Sequence, residues 1–288
     1  MLSALLVNYN DRENLSRCLA ALSAQIEGVS HEIIVADNGS SDGSQEFVRE
    51  NYPDVKLICN EENIGFARAN NRGLQECGGE FVLLLNTDTV VMSDALNILL
   101  TEIRSNPGLG AVGPALLLKK DKFQVSFGRK VSFLPELLQK ALLNHFYRLW
   151  LRTSRKPRSV GWLSAACLLL RRRVLQEVDF FDEKFFLYFE DIDLCVRIRK
   201  LGYALLFQPR ARVFHVGGAT TANMKSLSQF HYRKSQLYFY RKHNSKIACF
   251  WLRSYLRIRF QLSLLYGHLQ RETDLEERRR LIGLLHDQ

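Results

Sequence analysis

Through the first 118 residues, short apolar runs alternate with helix-period patterns, and that alternation leaves few folds open to the chain. Ala4–Val7, Glu32–Ala36, Lys56–Cys59, Phe81–Leu85 and Ala111–Leu118 read as strands. Between the first two, Leu15, Cys18, Leu19 and Leu22 recur at helical intervals, and Asn10 with Glu13 predicts a capping box at the start of that helix. Further helices are predicted over Ser44–Glu50, Phe66–Glu76 and Asp94–Ile103. Strands and helices taken in turn imply βαβ units and a mainly parallel sheet with helices on its faces. A chain of 288 residues, 47% of them apolar, can bury such a core and is not disordered.

Residues 119–160 break the rhythm. The run PELLQKALLNHFYRLWLRTSRKPR predicts a basic amphipathic helix followed by a link. Strands return at Trp162–Leu170 and Ala204–Val216, and helices fill the chain from Gln229 onward. The expected organisation is one domain over 1–242, with a first half (1–118), a basic insertion (119–160) and a second half (161–242). A basic amphipathic helical extension follows over 243–288. Charge divides along the same line: residues 1–118 hold 7 Lys/Arg against 16 Asp/Glu, the rest 33 against 14. An acidic catalytic half and a basic half facing an anionic partner follow from that asymmetry.

Six cysteines lie far apart with no CxxC pair, so a zinc ribbon or redox motif is not expected and structural thiols in a cytoplasmic setting are. The opening MLSALLVNYN has no basic flank and is interrupted by Asn8 and Asn10, so it reads as a buried strand and not as a signal peptide. No run is long and apolar enough to span a membrane. IACFWLRSYLRIRFQLSLLY, punctuated by Arg253, Arg257 and Arg259, reads instead as a segment lying on an anionic membrane surface, packing on the protein or forming a dimer. The expected location is therefore cytoplasmic, with peripheral attachment to the inner face of the cell membrane as a further expectation.

In open α/β sheets, ligands sit beyond the carboxyl ends of the strands. The first strand ends in VNYN (Asn8, Tyr9, Asn10), the second in DNGSSDGS from Asp37, and the fourth in NTDT from Asn86. Asp37 can accept hydrogen bonds from a base or ribose, although the same residues also suit a turn. Asp88 can ligate a hard divalent cation or serve as a strand-end cap, and His215, which closes a strand, is either structural or joins it where a second ligand lies nearby. No GxGxxG follows the first strand, which disfavours a nicotinamide dinucleotide. In FLYFEDIDLCVR, Glu190, Asp191 and Asp193 either complement a helix N-terminus or carry chemistry. Leu194, Cys195, Ile198 and Leu201 continue a stripe from Asp191, so Asp191 is expected to point inward as an ionised general base and Asp193 outward toward Arg197.

The ordered set VNYN, DNGSSDGS, NIGFARANN, LLLNTDT, GWLSAACLLLRR, FDEKFFLYFEDIDLCVRIRKLGY and HVGG resembles the family 2 glycosyltransferases, and within them the rhamnosyltransferase-like branch. The resemblance spans roughly residues 3–242 and implies a GT-A (Rossmann-like) fold, α/β with a mainly parallel central sheet. It further implies a nucleotide-sugar donor, a divalent metal (Mn2+ or Mg2+), and inversion at the anomeric carbon. Carried over by residue, it makes Asp191 the base, with Glu190 beside it. Asp88 and His215 become metal residues, and Asn86 replaces the first acid of the metal motif. Asn8, Tyr9, Asn10, Asp37, Gly39, Ser40, Asn63, Gly65, Phe66, Asn70, Asn86, Thr87, Trp162, Ser164 and Ala165 fall to the nucleotide sugar. The implied partners are a dTDP-rhamnose or UDP-sugar donor and a glycan or glycolipid acceptor. A sugar-nucleotide-binding protein without catalysis is the alternative, and a basic nucleic-acid binder a weaker one, since no base-stacking or helix-turn-helix signature is evident.

Overall fold

The computed structural model describes residues 1–119, 122–129, 131–133, 155–215 and 225–267, and residue 283. The basic helix expected near 135–158 lies mainly outside these residues, as do Val216–Gly218 of HVGG and the tail from residue 268 apart from residue 283.

Strands β1 (Leu2–Asn8), β2 (His31–Asp37), β3 (Lys56–Cys59) and β4 (Phe81–Asn86) stand parallel in the order β3-β2-β1-β4. They are joined by α1 (Arg12–Ile26), α2 (Ser44–Asn51) and α3 (Phe66–Gln75). The strand order reverses between β1 and β4, which opens a crevice at their carboxyl ends. Side-chain alternation divides the core. Leu2, Ala4 and Leu6 of β1 pack with Leu15, Leu19 and Leu22 of α1 and with α4 (Ala95–Ser105), while Leu5 packs with Leu74 of α3 on the other face.

Beyond β4 the sheet is mixed. β11 (Cys167–Arg171) runs antiparallel between β4 and β6 (Leu109–Lys119), β12 (Ala204–His215) lies parallel to β6, and β5 (Thr89–Val91) pairs antiparallel at the edge of β12. β7 (Lys122–Gln124) pairs with β6, and β9 (Arg158–Ser159) with β12. One sheet therefore draws strands from both sides of the basic insertion. Helices α5 (Arg172–Glu177), α6 (Glu190–Lys200), α7 (Lys225–His243) and α8 (Lys246–Gly267) complete the described chain. Leu194 and Ile198 of α6, Phe239 of α7 and Leu252 of α8 share the core of the α3 face.

Four expectations change. The strand foreseen over Trp162–Leu170 is broken: β10 (Trp162–Leu163) leaves the main sheet to pair with β8 (Phe127–Gly128). The amides of Ser164 and Ala165 turn away to Ser126 O (2.9 Å) and Asp191 Oδ2 (3.2 Å) before β11 begins. The Asn10–Glu13 capping box does not form, because Asn10 Oδ1 accepts from the Ser41 amide at 2.8 Å and Glu13 pairs with Arg17; Asp11 sits at the N-cap. Leu201 follows the last turn of α6 and is exposed instead of closing its stripe. Asp193 is wholly buried and not outward. All six cysteines are free, and burial pushes the Cys18, Cys77 and Cys195 thiols up to about 12, as suits packing residues.

Candidate active site

The crevice at the β1/β4 reversal holds a cleft of about 290 Å³. Val7 and Tyr9 reach it from β1, Asn38 from β2, Asn63, Gly65 and Phe66 from the loop into α3, and Asn86, Thr87 and Asp88 from β4. His215 enters from β12 and Phe186, Leu187 and Tyr188 from the loop before α6. Tyr9, Asn63, Gly65, Phe66, Asn86, Thr87, Asp88 and His215 are thus brought together as the sequence suggested.

Other nominated residues stand behind that surface. Asp37 is buried, and its oxygens accept from Asn8 Nδ2 (2.8 Å), the Ser40 amide (2.9 Å) and Gln45 Nε2 (2.7 Å). Ser40 Oγ in turn accepts from the Asn10 amide at 2.9 Å, which ties the β1 and β2 loops together. Gly39 has φ +78°, and a Cβ there would lie 2.8 Å from the Glu62 backbone, so the turn needs glycine. Asn70 is buried in α3 on Phe66 O, 2.9 Å away. Trp162 and Ser164 flank the turn that leads to Ala165, whose amide reaches Asp191.

Asn38 was not nominated, yet it organises one wall: it donates to Asn63 Oδ1 (2.8 Å) and accepts from Asn60 Nδ2 and the Ile64 amide (both 3.1 Å). A buried side-chain amide immediately after a strand-end aspartate was the available signal. Asp11 was also missed; Thr87 Oγ1 donates to it at 3.2 Å. Burial raises its carboxyl, with the charges of Asp88 and Asp42 adding to the shift. Asp11, Asp42 and Asp88 therefore gather negative charge at this end of the sheet.

Asp88 and His215 meet because β5 pairs with β12, setting His215 opposite Thr89. His215 Nε2 lies 3.2 Å from Asp88 Oδ1, and its Nδ1 bonds Gln124 Oε1 at 2.7 Å. A proton on Nδ1 would satisfy that amide oxygen and leave Nε2 turned toward Asp88. Asn86 Oδ1 is buried with no hydrogen-bond partner among the described residues. A carboxylate, an imidazole and an orphaned amide oxygen fit a hard divalent cation in donor type. Among the described residues no three His, Cys, Asp or Glu cluster to hold one alone. The remaining ligands would have to come from water or from a bound phosphate.

The loop before α6 is strained. Tyr188 and Phe189 take φ of +69° and +68°, a region that costs bulky residues about 1–3 kcal/mol each. Helix α7 holds them there: Tyr188 Oη lies 2.6 Å from Ser228 Oγ, Ser235 Oγ donates to Leu187 O at 2.8 Å, and both rings meet Tyr232 edge to face. This conformation delivers Glu190 and Asp191 at the start of α6. Asp191 is half-buried and accepts from the Ala165 and Ile192 amides at 3.2 and 2.8 Å. Burial raises its carboxyl despite those two bonds. Glu190 is buried, its Oε2 has no partner among the described residues, and burial followed by the Asp191 charge raises its carboxyl well above the usual range. Neither residue lines the cleft itself; Asp191 follows three residues after its wall.

The sequence matches the family described as "Glycosyltransferase like family 2" over residues 2–236. It is 30% identical to the N-acetylglucosaminyl-diphospho-decaprenol L-rhamnosyltransferase of Mycobacterium tuberculosis, over 97% of this chain and 96% of that protein. Among solved structures, the mannosyltransferase PcManGT of Pyrobaculum calidifontis, in complex with GDP-Man and Mn2+, superposes with a TM-score of 0.61 at 15% identity. That likeness covers 98% of this chain and 85% of that one. GalNAc-T7 with UDP, GalNAc and Mn2+ gives 0.60 at 17% identity, over 75% of this chain and 43% of that one. At these identities the likeness is one of fold, and the fold is of the GT-A type. With sequence and fold agreeing across both sides of the shared sheet, the chain belongs to the family 2 glycosyltransferases and is rhamnosyltransferase-like in sequence.

Proposed function

We propose that this glycosyltransferase moves a rhamnose-like sugar from a nucleoside diphosphate donor to a hydroxyl of a growing, lipid-linked cell-surface glycan, with inversion at the anomeric carbon. The observation that carries the reading is the course of one loop. Phe186, Leu187 and Tyr188 wall the cleft shared with Asp88 and His215, and three residues on the same backbone presents Asp191. The name of the M. tuberculosis relative, an N-acetylglucosaminyl-diphospho-decaprenol L-rhamnosyltransferase, supports the choice of sugar and carrier.

In this reading Tyr9, Asn38 and Asn63 border the nucleoside, and Asp37 keeps the Asn8 and Ser40 loops in place behind it. Asp191 accepts the proton of the acceptor hydroxyl as that oxygen bonds to the anomeric carbon. The bond from that carbon to the diphosphate oxygen breaks, and the nucleoside diphosphate leaves with the electron pair. The raised Asp191 carboxyl makes it a stronger base than an exposed aspartate. Asp88, His215 and the Asn86 amide oxygen would hold Mn2+ or Mg2+, and such a cation supplies positive charge against the leaving diphosphate.

Thermal unfolding with a panel of nucleotide sugars, with and without Mn2+, tests this. One donor at about 100 times its Kd should raise Tm by roughly 5–10 °C, and only with the cation. His215→Ala should lose the cation-dependent part. If no nucleotide sugar shifts Tm under either condition, the donor assignment fails.

A further inference from the structure

Helix α8 carries two apolar faces. At about 100° per residue, Leu252 and Leu256 fall on one side and are buried against the protein. On the opposite side lie Ile247, Phe250, Trp251, Tyr255, Ile258 and Leu262, spread over an arc of about 140°. All six are exposed, Ile247 at 71%, Phe250 at 63% and Trp251 at 55%. Lys246, Arg253 and Arg257 occupy one flank between the faces, and Arg259 the other. Residues 225–267 contain nine Lys/Arg and no Asp or Glu. Beside the exposed stripe, a cleft of about 370 Å³ is lined by Arg241, Asn244, Lys246, Arg253 and Arg257, with Phe250 at its edge. Asn244 Nδ2 is buried with no hydrogen-bond partner among the described residues.

We propose that α8 docks the protein on an anionic bilayer, its exposed stripe entering the interface and its basic cleft taking lipid phosphate. No described helix is long and apolar enough to cross a membrane, so α8 lies in the plane of the surface. Its basic flanks suit that posture, because Lys and Arg stems cover apolar surface while their heads stay among phosphates. A dimer closed on this face would bring Lys246 and Arg253 of one copy toward those of the other, and residues 225–267 supply no acid to set between them. A nucleic-acid duplex would leave Phe250, Trp251 and Ile258 in water, and a single strand, which can stack on the two aromatic rings, would still leave Ile247, Ile258 and Leu262 there. An anionic bilayer satisfies both the apolar face and the charge. Helix α7 rises about 18 Å from His231, whose ring stacks on Phe186 of the active-site wall at 4.4 Å, to its last residue His243, just before α8. Docking through α8 therefore also sets how that cleft meets the membrane.

Flotation of the full chain with phosphatidylglycerol or phosphatidylcholine vesicles at about 0.15 M salt tests the proposal without any sugar substrate, so it can fail while the transfer reading stands, and the reverse. The protein should float with phosphatidylglycerol at least ~10-fold more than with phosphatidylcholine, with a blue shift in emission that Trp251→Phe removes. Phe250→Ser, Trp251→Ser and Ile258→Ser combined should weaken binding by more than ~100-fold. Lys246→Gln with Arg253→Gln should weaken it about 30-fold, at about 1 kcal/mol for each cation. Inorganic phosphate at millimolar concentration should not displace the vesicles. Unchanged circular dichroism and Tm exclude misfolding of these surface variants. A wild-type protein that stays at the bottom with phosphatidylglycerol, or a triple variant that floats as well as wild type, overturns the proposal. So does a wild-type dimer in sedimentation that the triple variant converts to monomer, or binding to random oligonucleotides in place of vesicles.

Discussion

Gly65 is the residue on which the cleft wall turns. Its φ of +89° is open to glycine, and a Cβ would stand 2.8 Å from both Phe186 Cδ2 and Phe186 O. The next amide, Phe66 N, donates to that same Phe186 O at 2.7 Å, so the loop into α3 and the loop before α6 share one contact. Gly65→Ala should lower stability by about 1–3 kcal/mol in thermal unfolding and weaken nucleotide-sugar binding at least ~10-fold in calorimetry. Asp191 makes a different prediction. A base acts only when ionised, so activity is lost as pH falls through its carboxyl, and burial raises that carboxyl. The acidic limb of kcat/KM should therefore lie above the ordinary aspartate value of about 3.9 in a pH–rate profile.

Helix α7 is the element that holds the strained loop in place, and it acts at both ends of α6's first turn. Near its start it clamps Tyr188 and Phe189. Near its end, Lys242 and His243 reach Asp193 at 2.7 and 2.6 Å, joining Arg197 at 2.7 Å. Tyr232→Ala should let the loop relax, lowering kcat at least ~10-fold while donor affinity changes less, as steady-state kinetics with direct binding would separate. Burial alone would raise the Asp193 carboxyl; hydrogen bonds from His243 and Lys242 and the charge of Arg197 outweigh it and hold the group at about 2. A depressed carboxyl contributes stability above its unfolded pKa, near 4, that is lost as pH falls toward about 2. Asp193→Asn should cost about 3 kcal/mol at pH 7 and remove that acid-labile part from an unfolding series between pH 4 and 2. The sequence showed the helical stripe of α6 but placed Asp193 outward, because periodicity reports a helix's own face and not a second helix that covers another. It likewise missed β5, whose three residues are too short to display a period, and with it the pairing that sets His215 beside Asp88.

Across the whole molecule, what could be read early was local: the βα alternation, the polar strand ends, the order of motifs. Those features placed seven nominated residues in one cleft because parallel strands that reverse order present their carboxyl ends together; His215, the eighth, arrives through the β5–β12 pairing. What required coordinates was long-range, namely which strand ends meet across β11 and β12 and which polar groups, such as Asp37, stand behind the surface instead of on it. The charge division also becomes spatial: Asp11, Asp42 and Asp88 gather at the carboxyl end of the β1/β4 reversal, and the described C-terminal pair of helices carries only basic charge. The central claim is that the Asp191 carboxylate serves as base for chemistry in the cleft that Asp88 and His215 share. Parallel measurement of transfer rate and donor affinity in Asp191→Asn tests it most directly. The account predicts a rate lower by about 10²–10⁴ with donor Kd within about threefold of wild type. Turnover within a few-fold of wild type, or a loss confined to donor binding, would contradict it.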